Sequence, residues 1–415
     1  MRSHTGKRLL LVRLGLARYL PSQPATRTSR LAETLHTSPA QRRSHDAAIA
    51  APRGAAALAV LDQISLTAWQ DLATRAAEPN GYNLPEWVLA ANGADANVRA
   101  LTATGDDATL IGVVPVLPLW RTHRIPLPVL VTADPFRSLD TPLLDRDRAE
   151  QAAARLMAQA REAGAHALLL RYVVLDGLAA QAFTSAADQQ GLRPRLLQDW
   201  KRAFLDARAD GDATPTGLSA KKLKELRRLR HRLAEHGEVS FAVARERDEV
   251  ARAFDQFLTL EASGWKGQRG TALQQQPELA DRLRRAALSL AAQGRCEIIT
   301  LCAGPTPVAA GVVLRHLDRA FFFKLGIDEA FARFSPGVQL TLELTTHLRA
   351  DPQIASADST AKPGHPMIDP IWRERITIGD LLIPLRGNDP LLPLIEASLH
   401  GHAKARALAL RLLRR

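Results

Sequence analysis

Cysteine, methionine and tyrosine are nearly absent: the 415 residues hold two, three and three of them, and aromatics make up only 5% of the chain. Two cysteines rule out a disulfide framework, and with no second ligand pair at recognised spacing they give no zinc site, so no metal is expected. Cys296 and Cys302 are separated by an even number of residues in an apolar run, which puts both on one face of a strand, where thiols pack as small hydrophobes. Long hydrophobic runs are missing as well. The stretch 9–20 is broken by Arg13 and Arg18, and nothing later reaches the roughly 18 apolar residues a spanning helix needs. The expectation is a cytoplasmic protein with no transmembrane segment. Lysines are few outside one cluster, so arginine carries most of the net charge of +12.

An apolar content of 46% is enough for real cores, and the length points to two domains. The first 53 residues carry ten Lys or Arg against only Glu33 and Asp46 and show no sustained apolar period. Residues 1–57 therefore read as a basic, disordered extension. Beyond it the periodicity repeats a plan. In the first half, helices are expected over 66–77, 85–92, 146–163 and 178–190, with strands over 98–104, 109–119, 167–174 and 195–205. In the second, strands fall over 238–244, 296–303, 308–317, 320–327 and 354–358, and helices over 248–263, 277–293 and 338–349. Residues 109–117 and 307–314 are locally alike, each a loop tip followed by a strand with an early glycine. The expected fold is α/β (α+β): two tandem lobes, 58–210 and 211–390, each a mixed, mostly antiparallel sheet flanked by helices, and then a basic helix over 391–415.

Residues 321–375 concentrate the chemistry. The run Phe321-Phe322-Phe323 leads into Lys324, Leu325, Gly326 and Ile327 and reads as a strand. Ser335-Pro336-Gly337 then opens a helix. Ser335 suits the N-cap, Pro336 the first turn, and Gly337 lets a ligand approach backbone amides that the helix dipole makes attractive to phosphate. The same three residues also suit an ordinary cap. A strand ending in Asp358 precedes a loop fixed by Pro363, Gly364 and Pro366 around His365. Three side chains stand as candidate general bases. Glu261 ends a helix and either has a raised pKa or pairs with a cation; His365 titrates near neutrality or is an ordinary loop histidine; Asp358 lies at an opening sheet edge or caps the next turn.

These residues carry a resemblance. The segment Glu261-Ala-Ser-Gly-Trp265-Lys266-Gly, the turn Phe334-Ser335-Pro336-Gly337, and the loop from Asp358 through His365 to Asp369 with Trp372 to Arg375 resemble the GNAT-type acyltransferase domain of the CelD-like family, associated with cellulose biosynthesis. The layout of two GNAT-like lobes is similar to FemAB-type transferases. The resemblance implies transfer of an acyl group from acyl-CoA (acetyl-CoA) to an amino group of a small molecule or a saccharide or envelope precursor. It implies a donor site built from Lys324, Gly326, Ser335, Gly337 and Val338, with a strand amide near Phe323 to Gly326 facing the thioester carbonyl. Trp265, Lys266 and Trp372 stand as acceptor contacts or as packing residues. The family's glycine-rich donor signature is reduced here to Ser-Pro-Gly.

A dense positive run covers 221–233, with Leu223, Leu226, Leu229 and Leu233 at helical spacing, so one stripe docks and the rest projects charge. It reads as a solvated face, or as a contact for CoA phosphates, an acidic glycan, an anionic membrane or tRNA. No aromatics are interleaved to stack on bases, which counts against nucleic acid other than tRNA. Two further functional readings stay open: a FemAB-like transferase using aminoacyl-tRNA, and a non-catalytic tandem-lobe protein of polysaccharide biosynthesis. An acyl carrier protein is a further candidate for bringing the donor.

Overall fold

Amphipathic helices capped by proline or glycine alternate with short apolar strands, and together they build a sheet that runs through both halves of the chain. The structure, a computed structural model, describes residues 58–93, 97–209, 217–264, 270 and 272–413. The basic segment 1–57 and the residues Trp265 and Lys266 lie outside the described residues.

The first half runs β1 (Ala59–Val60), α1 (Leu66–Thr74), α2 (Pro85–Asn92), β2 (Arg99–Thr104), β3 (Leu110–Pro118), α3 (Leu119–His123), β4 (Val129–Thr132), β5 (Leu143–Leu144), α4 (Ala149–Glu162), β6 (Ala167–Val174), α5 (Leu178–Asp188) and β7 (Arg195–Asp206). The second runs α6 (Ala220–Leu233), β8 (Val239–Ala244), α7 (Arg247–Ser263), α8 (Pro277–Ala291), β9 (Cys296–Ala303), β10 (Thr306–His316), β11 (Arg319–Ile327), a 3-10 turn (Glu329–Phe334), α9 (Pro336–Ala350), β12 (Ser356–Asp358), β13 (Glu374–Pro384) and α10 (Leu392–Leu413). The local causes are visible. Pro85 opens α2, and Gly93, in the left-handed region at φ 64°, ends it. Ser219 caps α6 by accepting the Lys222 amide.

Thirteen strands form one sheet in the order β1-β2-β3-β4-β6-β13-β7-β12-β11-β10-β9-β8, with β5 added on β3. Two pairings are parallel, β4 with β6 and β11 with β12. Each follows an antiparallel meander and is bridged by a long helix, α4 in one half and α9 in the other. The halves therefore repeat as β2-β3-β4-α4-β6 and β9-β10-β11-α9-β12. The similar stretches 109–117 and 307–314 fall on the equivalent strands β3 and β10.

Sequence patterning did not reveal β13. It inserts between β6 and β7, pairing Leu382 with Leu169 on one side and Ile376 with Arg202 on the other. The C-terminal strand thus completes the sheet of the first half and welds the two halves together. One apolar core spans them, with Leu72, Trp87 and Tyr82 from the first packed with Phe254, Leu283 and Phe321 from the second. A buried histidine adds a polar latch: Nδ1 of His316 accepts the Asn80 amide at 2.8 Å and its Nε2–H donates to the Ala73 carbonyl at 2.8 Å. That pairing requires the neutral imidazole.

Candidate active site

Strands β11 and β12 pair only from Arg319↔Ser356 to Phe321↔Asp358. Beyond that point β12 stops, while β11 continues through Ile327 with no paired strand on that side among the described residues. A cavity of about 460 Å³ opens where they part, lined among others by Glu261, Phe323, Lys324, Gly326, Ser335, Gly337, Val338, Thr360 and His365. The fold thus gathers onto one cavity seven candidates drawn from α7, β11, the start of α9 and the loop after β12.

Its floor is a β-bulge. Val312 pairs with Lys324 and Val313 with Phe322, so Phe323 has no partner on β10. A bulge twists the strand and re-aims its backbone, here at the cavity. The segment after β12 is turned by Thr360, a non-glycine residue at φ 48°. Its hydroxyl donates to the Phe322 carbonyl at 2.7 Å and accepts from the Tyr82 hydroxyl at 3.3 Å. Tyr82 comes from the first half, and burial pushes its phenol pKa upward.

The turn before α9 differs from expectation in one respect. Ser335 occupies the N-cap position, but in the left-handed conformation at φ 53°, and its side chain does not cap the helix. The 3-10 turn before it sets this geometry, and the Ser335 carbonyl instead accepts the amides of Val338 and Gln339, each at 3.1 Å. Pro336 has no N–H. The Gly337 amide is left as the donor without an acceptor among the described residues. Gly337 is closely approached: a Cβ there would lie 2.9 Å from Leu325 Cδ2 and 3.1 Å from Met367 Sδ.

Glu261 is a buried ion-pair partner. One carboxylate oxygen faces Lys324 Nζ at 3.2 Å and the other accepts the Leu273 amide at 2.8 Å. Lys324 also lies near the rings of Phe323 and Phe136, at 5.6 and 5.8 Å. Phe136, from the first half, meets Phe323 edge to face at 4.9 Å. Gly326 has a packing role: a Cβ would sit 2.5 Å from the backbone nitrogen of Glu261, so only glycine lets α7 lie this close to β11.

His365 is half-buried, and its Nδ1 is shielded from solvent without a hydrogen-bond partner. Burial lowers its pKa, Lys362 adds to the effect, and Asp369 opposes it. Burial thus favours the neutral form of the imidazole. The loop is fixed around it: the Gly364 amide donates to Asp369 Oδ2 at 3.0 Å and the Asp369 amide to the His365 carbonyl at 3.0 Å.

Two candidates fall away from the cavity. Asp358 is fully buried, pairs with the buried Arg202 and accepts the Thr360 amide at 2.9 Å, so its carboxylate is committed to the fold. Trp372 is also fully buried, its indole N–H donating to Thr345 Oγ1 at 2.8 Å, and it packs in the core beneath α9 away from any acceptor. Tyr82, Phe136 and Thr360 were not singled out in the sequence. The first two reach the site from the other half of the chain, and Thr360 follows Asp358 in a loop whose turn conformation has no marker such as glycine.

A second cavity, about 570 Å³, lies near the opposite end of the sheet. Its charged groups answer one another. Glu297 takes Arg245 at 3.1 Å, His347 at 3.1 Å and Arg315 at 3.5 Å, and Arg315 also reaches Asp351 at 2.6 Å. It reads as a structural ion-pair network. Among the described residues no His, Cys, Asp and Glu cluster could hold a metal ion.

Residues 220–361 match the family described as "Acetyltransferase (GNAT) domain". The chain therefore carries the domain of an acyltransferase, within a larger two-lobed sheet. Among solved structures it resembles FemX (12% identity, TM-score 0.52, covering 80% of this chain and 98% of that one). It also resembles the C-terminal DUF2156 domain of a protein assigned as a lysylphosphatidylglycerol synthetase from Agrobacterium fabrum (15% identity, TM-score 0.51, 80% and 96%). A tandem GNAT protein from the clavulanic acid biosynthesis pathway is also similar (16% identity, TM-score 0.37, 80% and 98%). At these identities the first two likenesses speak for the fold alone. No curated protein sequence matches the chain.

Proposed function

We propose that this chain is an N-acyltransferase that moves an acyl group from acyl-CoA to the amine of a small molecule or of a saccharide or envelope precursor. The observation that carries the reading is the cavity at the parting of β11 and β12, which brings a bulged strand, the N-terminus of α9 and the His365 imidazole to one place. In this reading the Gly337 amide and the dipole of α9 hold the donor's diphosphate. The bulge at Phe323 aims backbone at the thioester carbonyl, where oxyanion charge develops. The His365 imidazole, which lines the cavity, takes the proton from the attacking amine, and its lowered pKa favours the neutral form that can do so. Phe323 lines the acceptor's side of the cavity and is backed by the rings of Phe136 and Tyr82.

A CelD-like affiliation, and with it an acceptor of polysaccharide biosynthesis, follows from the resemblance of the Asp358 to Asp369 loop. A cytoplasmic location fits the finding that no helix among the described residues is long and apolar enough to cross a membrane. Calorimetric titration with acetyl-CoA tests the donor assignment: saturable binding in the micromolar range is expected, and its absence with acetyl-CoA and longer acyl-CoAs would refute it.

One observation favours a second reading, an aminoacyl-tRNA donor. Helix α6 buries Leu226, Leu229 and Leu233 and exposes Lys221, Lys224, Arg227, Arg228 and Arg232 beside the 3-10 turn that edges the cavity. Saturation by charged tRNA in place of acyl-CoA would establish that donor; a carrier protein with an acidic surface would use the same face.

A further inference from the structure

Lys324 is the only primary amine among the described residues lining the cavity. It sits one residue after the bulge that faces the thioester position. Its side chain is only 23% exposed, and in place of reaching out to water it turns to Glu261, whose carboxylate is fully buried at 3.2 Å. The Leu273 amide anchors that carboxylate's second oxygen. The aromatic rings of Phe323 and Phe136 limit where the ammonium can go. An amine next to a fixed carboxylate, beside the electrophile's seat, is the arrangement that an acceptor substrate has to reproduce.

We infer that Lys324 is itself an acyl acceptor, taking one acyl group from the thioester donor when no other amine is present. The inference rests on the cavity being the donor site. The Lys324 ammonium passes one proton to the Glu261 carboxylate. The freed Nζ lone pair attacks the thioester carbonyl carbon, the C–N bond forms and the C–S bond breaks. The second proton leaves the nitrogen with the departing thiolate, giving the free thiol, and Glu261 returns its proton to solvent. The product is a neutral amide that fills the acceptor's position and removes the Lys324 charge opposite Glu261. Self-acylation therefore switches the site off.

The test is to incubate the full chain with acetyl-CoA in the absence of any acceptor and follow it by intact-protein and peptide mass spectrometry, alongside calorimetric binding of acetyl-CoA. With only nine lysines in the chain, each can be assigned. The expected result is one acetyl group per chain, on the peptide carrying Lys324. It is absent in Lys324→Arg, which keeps the charge opposite Glu261, and forms at least about tenfold more slowly in Glu261→Gln. An adduct that persists in Lys324→Arg, or that spreads evenly over surface lysines, overturns the inference. Binding of acetyl-CoA with no adduct overturns the inference and leaves the donor assignment standing. No binding at all overturns both.

Discussion

His316 gives the most direct test of how the two halves are held together. Its folded pKa falls to about 4 from an ordinary 6.5, chiefly through burial, although the hydrogen bond to Ala73 works in the other direction. The neutral ring is the form that both accepts from Asn80 and donates to Ala73. A depressed folded pKa means that the unfolded chain binds the proton first as pH falls. The stabilisation is thus complete above about 6.5 and drains away as pH drops toward 4. Between pH 7 and pH 5 this amounts to roughly 2 kcal/mol. Glu78 works against it, because burial raises its carboxyl pKa to about 7 and its protonation over the same interval favours the fold. The wild-type pH dependence alone therefore mixes two signs. Denaturant melts of wild type and His316→Gln at both pH values isolate the histidine. The variant should be less stable at pH 7 but should lose roughly 2 kcal/mol less on acidification. Identical pH dependence in the two proteins would show that the ring does not titrate as a buried latch.

Three further outcomes are expected. His365→Ala should lower kcat/KM by about tenfold or more while leaving acetyl-CoA affinity unchanged, and the acid limb of the wild-type rate profile should lie below the pKa of a free imidazole; wild-type turnover in the variant would remove His365 from the chemistry. Asp358→Asn should act on stability in place of turnover, costing about 3–5 kcal/mol by leaving Arg202 buried without its counter-charge; a fully stable variant with impaired turnover would return Asp358 to the mechanism. Gly326→Ala should cost about 1–3 kcal/mol, because the new Cβ meets the backbone of α7 at 2.5 Å, and a thermal melt matching wild type would show that α7 can yield.

Much of the local structure was legible along the chain because it depends on periodicity and punctuation. Strands β6 and β9 and helix α2 lie where alternation, Pro85 and the Gly93 stop put them, and α9 begins two residues earlier than its apolar period. The basic stripe on α6 was legible for the same reason: leucines at helical spacing need only a helix to align them. The Cys296 and Cys302 thiols are both free, with Cys296 buried in β9 and Cys302 half-buried, and burial raises both thiol pKa values.

The sequence by itself determined the repeated order of helices and strands, the segment that bears the cavity, and seven of the residues that line it, since these are set by contacts within a few dozen residues. Only the tertiary structure decided that β13 returns to complete the first half, that Tyr82 and Phe136 cross over to the second half's site, and that Asp358 and Trp372 serve the core. The physical reason is that strand insertion and burial depend on partners up to 278 residues away. A residue's type states what it can bond to, but not which distant group will reach it first.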